Sequence, residues 1–128
     1  MELLIDTHAL LWLAKGDGEK LSSKARLAIE SSQNQKHVSM ATFWEIAIKL
    51  SVGKLELDGG IESLVEFANE FNFKILTIDM DHIKVSQNLQ FIHRDPFDRL
   101  LIAQAISQDF QVVTKDPAFS LYPIKTIW

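Results

Sequence analysis

Four acidic residues stand where an α/β chain keeps its chemistry. Asp6 ends the short apolar run Glu2-Leu3-Leu4-Ile5 and precedes an amphipathic one. Asp116 follows the run 111–114 in Thr114-Lys115-Asp116-Pro117. Glu45 lies in the first turns of the helical run after Val38, and Asp98 in the first turn of the run opened by Asp95-Pro96. If the two strands are parallel, Asp6 and Asp116 lie at their carboxyl edge, outside which an open parallel sheet places its ligand crevice. Asp98 is in helical line with Leu101, Ile102 and Ala105 and so tops a core-facing stripe; Glu45 is in line with Ile48 and Val52 and borders an apolar stripe too. Four carboxylates in one cleft repel and raise one another's pKa. A divalent cation is the usual remedy, and oxygen-only ligands select the hard ions Mg²⁺ or Mn²⁺. Such a site suits phosphodiester hydrolysis, because a bound divalent ion lowers the pKa of a water, orients it for in-line attack and neutralises the developing charge.

Each acid alone has a plainer reading. Asp6 is a favoured residue type for capping the helix that follows it. Thr42-x-x-Glu45 matches a capping box, and Glu45 with Lys49 forms an i,i+4 pair. Asp95 is assigned as the N-cap before Pro96. Asp98 favours a helix macrodipole wherever it points, and Asp116 before Pro117 suits an ordinary turn. The convergence of four acids on one edge, rather than any one of them, favours the site. His8 and His93 flank helix starts as ligands, proton shuttles or polar neighbours, and residue type leaves that choice open. Lys15, Lys49, Arg94, Arg99 and Lys115 are close in sequence to the acids and either hold phosphates or balance the carboxylates. Trp12, Phe43 and Trp44 are core or, if exposed together, a partner surface.

The elements that must position these groups alternate. Strands are expected over 2–5, 37–39, 73–78, 110–114 and 124–127. Helices are expected for two turns after Asp6, then from Leu21-Ser22-Ser23 to about Ser32, and over 41–51, 61–71, 81–89 and 95–108, with 33–36 as a polar loop. Gly16 and Gly18 supply a cap and turn after the first helix, and Gly53 stops the helix over 41–51. The alternation predicts an α/β fold with a mainly parallel sheet, as one domain over 1–128 without repeats or linkers.

Composition narrows the classes. The 128 residues are 47% hydrophobic and 23% charged, ordinary for a globular chain. There is no cysteine, which excludes disulfides, thiolate metal sites and cysteine nucleophiles. No apolar run approaches the roughly 18 residues needed to span a bilayer, and the N-terminus lacks signal-peptide features, so a cytoplasmic protein with no membrane partner is expected. At a formal net charge of -4, nucleic-acid binding needs local basic groups or bridging metal ions.

Four stretches resemble the PIN-domain family, in its order and at its spacing. They are Leu4-Ile5-Asp6-Thr7-His8-Ala9-Leu10-Leu11-Trp12, Ser39-Met40-Ala41-Thr42-Phe43-Trp44-Glu45-Ile46, Asp95-Pro96-Phe97-Asp98-Arg99-Leu100-Leu101-Ile102-Ala103-Gln104-Ala105 and Val113-Thr114-Lys115-Asp116. The chain is most similar to the VapC-like toxins of bacterial toxin–antitoxin pairs. The resemblance implies a metal-dependent endoribonuclease with Mg²⁺ or Mn²⁺ held by Asp6, Glu45, Asp98 and Asp116. It implies that Thr7 and Thr114 hold the site by hydrogen bonds; Arg99 and Lys49, from their nearness in sequence to the acids, are expected beside it or on the substrate. The fold it implies is a five-stranded sheet of order 3-2-1-4-5 with helices on both faces. The partners it implies are an RNA substrate, a cognate antitoxin and a second copy of the chain in a homodimer. Two other classes stay open. One is a non-catalytic RNA- or protein-binding module of the same fold. The other is an aspartate-nucleophile phosphotransferase on Asp6, which His8, standing where such enzymes need a second acid, argues against.

Overall fold

The computed structural model describes residues 1–128. Five strands, β1 (Glu2–Ile5), β2 (Gln35–Ser39), β3 (Phe73–Leu76), β4 (Gln111–Val113) and β5 (Thr126–Ile127), form one sheet. Its order is β3-β2-β1-β4-β5 and every pairing is parallel. Leu4 is in register with His37 on one side and with Val112 on the other. The chain grows outward from β1 in one direction, then returns to add β4 and β5 at the other flank. The switch point, where such sheets open a crevice, therefore lies between β1 and β4.

β1 is a continuous apolar run because both of its faces are covered. Leu3 and Ile5 join a core with Ala9, Leu10, Ala25, Phe43, Ile46 and Leu64, whereas Leu4 joins a second core with Leu101, Ile102, Ala105, Val112 and Phe119. The period of two along the strand thus divides its side chains between two helical layers. The helices are α1 (Thr7–Ala14), α2 (Ser23–Glu30), α3 (Met40–Ser51), α4 (Gly60–Glu70), α5 (Met80–Asn88) and α6 (Pro96–Gln108).

The expected order and helical layers hold, and several boundaries move for local reasons. Gln35 and Lys36, expected in a loop, are the first residues of β2, paired with Glu2 and Leu3. Lys36 manages this by setting its Nζ over the Phe73 ring, 4.7 Å from the centroid, and donating from it to the Phe71 carbonyl at 2.9 Å. β3 stops at Leu76, and α5 begins at Met80 rather than Asp81. Asp79 caps α5 in a reciprocal box with His82, whose Nδ1 accepts from the Asp79 N–H at 3.1 Å. Short 3-10 turns at Gly18–Lys20 and Pro117–Leu121 were not expected.

The larger correction concerns α3. Ile48 and Val52, expected on an apolar stripe, are 39% and 60% exposed, and Trp44, left open between core and partner surface, is 60% exposed. The helix buries Ala41, Thr42, Phe43, Glu45 and Ile46 instead. α3 is apolar on more than one face, so periodicity alone picked the wrong one.

Candidate metal centre

Asp6 leaves β1 at the switch point, its backbone N–H bonded to the Val113 carbonyl at 3.1 Å. Oδ1 accepts the Ala9 N–H at 2.8 Å and caps α1, while Oδ2 accepts the Thr114 hydroxyl. The capping reading and the site reading of Asp6 are therefore both realised in one carboxylate. The group is buried, and burial pushes its pKa up against the opposing hydrogen bonds from Thr114 and Ala9.

Glu45 is also buried, but not beside the stripe expected for it. It lies on the face of α3 turned to the start of α1, where Oε1 accepts the Thr7 hydroxyl at 2.9 Å. Its Oε2 pairs with Lys49 at 3.0 Å, the expected i,i+4 partner. The Thr42–Glu45 capping box does not form. Ser39 caps α3 by accepting the Ala41 N–H, and Thr42 lies inside the helix with Oγ1 3.2 Å from that of Thr7.

Asp95 caps α6 as expected, accepting the N–H groups of Phe97 and Asp98 at 2.8 and 3.1 Å. This frees the Asp98 carboxylate to turn to the cleft. Leu101, Ile102 and Ala105, its helical neighbours, are buried, so here the reading of helix phase was right. Burial, the neighbouring Asp95 carboxylate, and then Glu45 and Asp6 push the Asp98 pKa up to about 7, against a lowering by His93. Asp116 caps the turn Pro117–Leu121 through Oδ1, which accepts the Ala118 N–H at 2.9 Å. Thr114 ties two acids together, donating to Asp6 and accepting the Asp116 N–H at 3.1 Å.

The four acids thus arrive from the end of β1, from α3, from α6 and from the turn after β4. Asp6, Asp98 and Asp116 line an open cleft of about 470 Å³ with His8, Trp12, Lys115 and Phe119. A larger hollow of about 600 Å³, lined by Ala14, Lys15, Glu56, Asp58, Glu66 and Glu70, contains none of the four acids. No lysine or arginine pairs with Asp6, Asp98 or Asp116. The site therefore has a surplus of carboxylate oxygens in partly desolvated surroundings, the donor chemistry that fits a hard divalent cation.

Two further residues border the acids in ways that sequence did not specify. Arg99, expected beside the site or on the substrate, donates to the carbonyls of Ser86, Leu89, Gln90 and His93 and approaches Tyr122 Oη, closing the loop between α5 and α6. His93, whose role sequence left open, stands beside the cleft, with Nε2 3.0 Å from Asp98 Oδ2 and hydrogen-bonded to Asp116 Oδ2 at 3.2 Å. Its neighbourhood depends on Tyr122 and Arg99, a contact that sequence spacing does not signal.

The PIN domain family model matches residues 3–125. This chain belongs to the PIN domain family. Solved structures place the fold among toxin–antitoxin complexes. The PIN domain superposes with a TM-score of 0.74 on a chain of VapBC2 from Rickettsia felis bound to a promoter DNA fragment, at 15% identity, covering 98% of this chain and 97% of that one. For VapBC-1 from nontypeable Haemophilus influenzae the values are 0.70 and 14%, over 98% and 96% of the two chains. A toxin–antitoxin complex from Klebsiella pneumoniae gives 0.61 and 20%, over 94% and 92%. At these identities the likeness is one of fold. No curated protein matches the sequence. No helix is long and apolar enough to cross a membrane.

Proposed function

We propose that this PIN domain is a metal-dependent endoribonuclease and the toxin of a type II toxin–antitoxin pair. The observation that carries the reading is the convergence of Asp6, Asp98 and Asp116 from three separate elements on one cleft, with Glu45 near enough for its charge to act on Asp98 and no lysine or arginine paired with any of the three. Mg²⁺ or Mn²⁺ held by these acids would supply an activated water and charge neutralisation at a scissile phosphate.

The chain's own groups have distinct tasks. Thr114 and the Ala9 N–H fix the Asp6 carboxylate; Thr7 fixes Glu45. Lys49 orients Glu45 from the solvent side, and Lys115 at the cleft wall is placed to meet an RNA phosphate. A cognate antitoxin and a second copy of the chain are the partners of this reading. The solved likenesses are toxin–antitoxin complexes, which supports the antitoxin, and Trp44, Ile48 and Val52 expose an apolar strip on the helix that carries Glu45.

The test is cleavage of total cellular RNA by the purified chain with Mn²⁺, with Mg²⁺ and with chelator, beside Asp6→Asn prepared identically. Metal-dependent cleavage that disappears in the variant is the expected result. Equal cleavage by the variant overturns the assignment.

A further inference from the structure

His93 stands between two of the proposed ligands, and its distances alone leave two roles open. Nε2 is 3.0 Å from Asp98 Oδ2 and 3.2 Å from Asp116 Oδ2. Neighbouring ligand atoms on an octahedral ion with bonds of about 2.1 Å lie about 3 Å apart, so the spacing fits a shared metal as well as it fits hydrogen bonds. The other ring nitrogen separates the cases. Nδ1 receives the backbone N–H of Asp95 in a long bond of 3.4 Å. A backbone N–H only donates, so Nδ1 is an acceptor and bears no proton. The ring proton is then on Nε2, where an N–H rather than a lone pair meets Asp116 Oδ2, with Asp98 Oδ2 at ion-pair distance. A metal-bound imidazole has the opposite arrangement, with its remote nitrogen donating to a carbonyl or carboxylate.

The loop around His93 is held as firmly as the ring. The His93 N–H donates to Tyr122 Oη at 2.8 Å, and its carbonyl accepts from Arg99 Nη1 at 3.2 Å. Tyr122 Oη in turn donates to the Gln90 carbonyl at 2.8 Å, and Tyr122 is buried. The imidazole meets the Phe119 ring edge-on, with centroids 5.9 Å apart. Backbone N–H, backbone carbonyl, ring face and both ring nitrogens all have partners. Asp116, by contrast, comes from a short turn and has a side chain 38% exposed. Its Oδ1 is committed to the cap, and Oδ2 has His93 alone to aim it.

We propose that His93 is a positioning residue, an Nε2–H donor that hydrogen-bonds Asp116 Oδ2 and holds this carboxylate beside Asp98 Oδ2 for a divalent ion. The inference rests on the metal-centre reading above. Arg99 and Tyr122 act through it, by fixing the loop that delivers the ring.

The experiment is Mn²⁺ binding to the full chain, followed by electron paramagnetic resonance titration and by electron spin echo detection of nitrogen bonded to the ion. Wild type, His93→Ala, His93→Gln and Asp98→Asn are compared, each checked for fold by circular dichroism. Losing a hydrogen bond that orients a ligand weakens metal binding about 10- to 100-fold, and His93→Ala is expected in that range. His93→Gln, which can present an amide N–H near the same point, recovers most of the loss. The wild-type echo shows no directly bonded imidazole nitrogen. A directly bonded nitrogen signal that vanishes in His93→Ala makes His93 a ligand and overturns the proposal. So does unchanged affinity in His93→Ala, or a folded His93→Gln as weak as the alanine variant. If Asp98→Asn binds Mn²⁺ as tightly as wild type, the metal-centre reading itself falls, a result separate from those three.

Discussion

Two buried polar clusters differ in what they leave unsatisfied. In the cleft, Asp6 and Glu45 are buried and Asp98 is raised to about 7 by burial and by other carboxylates. Acceptors outnumber donors there, and the cleft is open. Between α5 and α6, His82 and Gln104 are buried more completely, at 1% and 0% exposure. Gln104 Nε2 donates to the Thr77 carbonyl at 3.4 Å, and His82 Nδ1 accepts the Asp79 N–H. The atoms left over, His82 Nε2 and Gln104 Oε1, are a donor and an acceptor, in groups that carry no formal charge in this arrangement. The closed pair leaves one donor and one acceptor over, without a surplus of either, and packs between α5 and α6. The open cluster keeps a surplus of acceptors, offset within the chain by Lys49 on Glu45 and by His93. Burial alone does not distinguish a site from a strut; the sign of the remainder does.

This contrast can be broken by mutation. The largest expected effect is in the cleft. Asp6→Asn or Asp98→Asn should lower metal-dependent RNA cleavage at least about 100-fold, beyond the range for residues that merely orient a ligand. Melting of metal-free Asp98→Asn should be unchanged or higher, because a buried repulsion is removed; a lower melting temperature would mean that Asp98 stabilises the fold. Gln104→Ala should reverse the pattern. It should cost about 2–4 kcal/mol in urea unfolding, from the cavity and the lost polar partner, with Mn²⁺ affinity within a few-fold of wild type. A loss of Mn²⁺ affinity matching the cleft variants would dissolve the distinction.

Metal itself sharpens it. Mn²⁺ at 100 times its dissociation constant should stabilise wild type by about 2.7 kcal/mol, and thermal melting of Asp98→Asn should show little of that gain. The smallest effect is one of pH on the metal-free chain. Asp98 rises from 3.8 to about 7 on folding, so between those values the native state binds more protons than the unfolded one. Stability from this group is therefore full below about pH 4 and falls as pH rises towards 7. Melting across that window should slope downward in wild type by more than in Asp98→Asn; equal slopes would locate the linkage elsewhere.

Much of this architecture was legible because local signals and topology agree. Leu3, Leu4 and Ile5 read as a doubly covered strand, Asp95-Pro96 as a helix start, and Asp98 as the top of a buried stripe, all from chemistry within one element. Glu45 was found on a mistaken ground. It was taken to border the line of Ile48 and Val52, which face solvent, whereas it is buried against Thr7. α3 offers apolar residues on two faces, and only packing against α1 and the sheet chooses between them. His93 and Arg99 were illegible for a related reason. Their places follow from Tyr122, a residue 29 positions from His93, reaching back to hold one loop.

The corner at Asp6 has a consequence for inheritance. One oxygen starts a helix and the other meets Thr114, so most replacements there disturb shape and chemistry together. Asparagine is the exception. Its oxygen caps as well as aspartate's, and its amide nitrogen can donate to the Thr114 hydroxyl. A lineage that gives up the charge at this corner, yet keeps the fold, has a single-residue route at the sixth position.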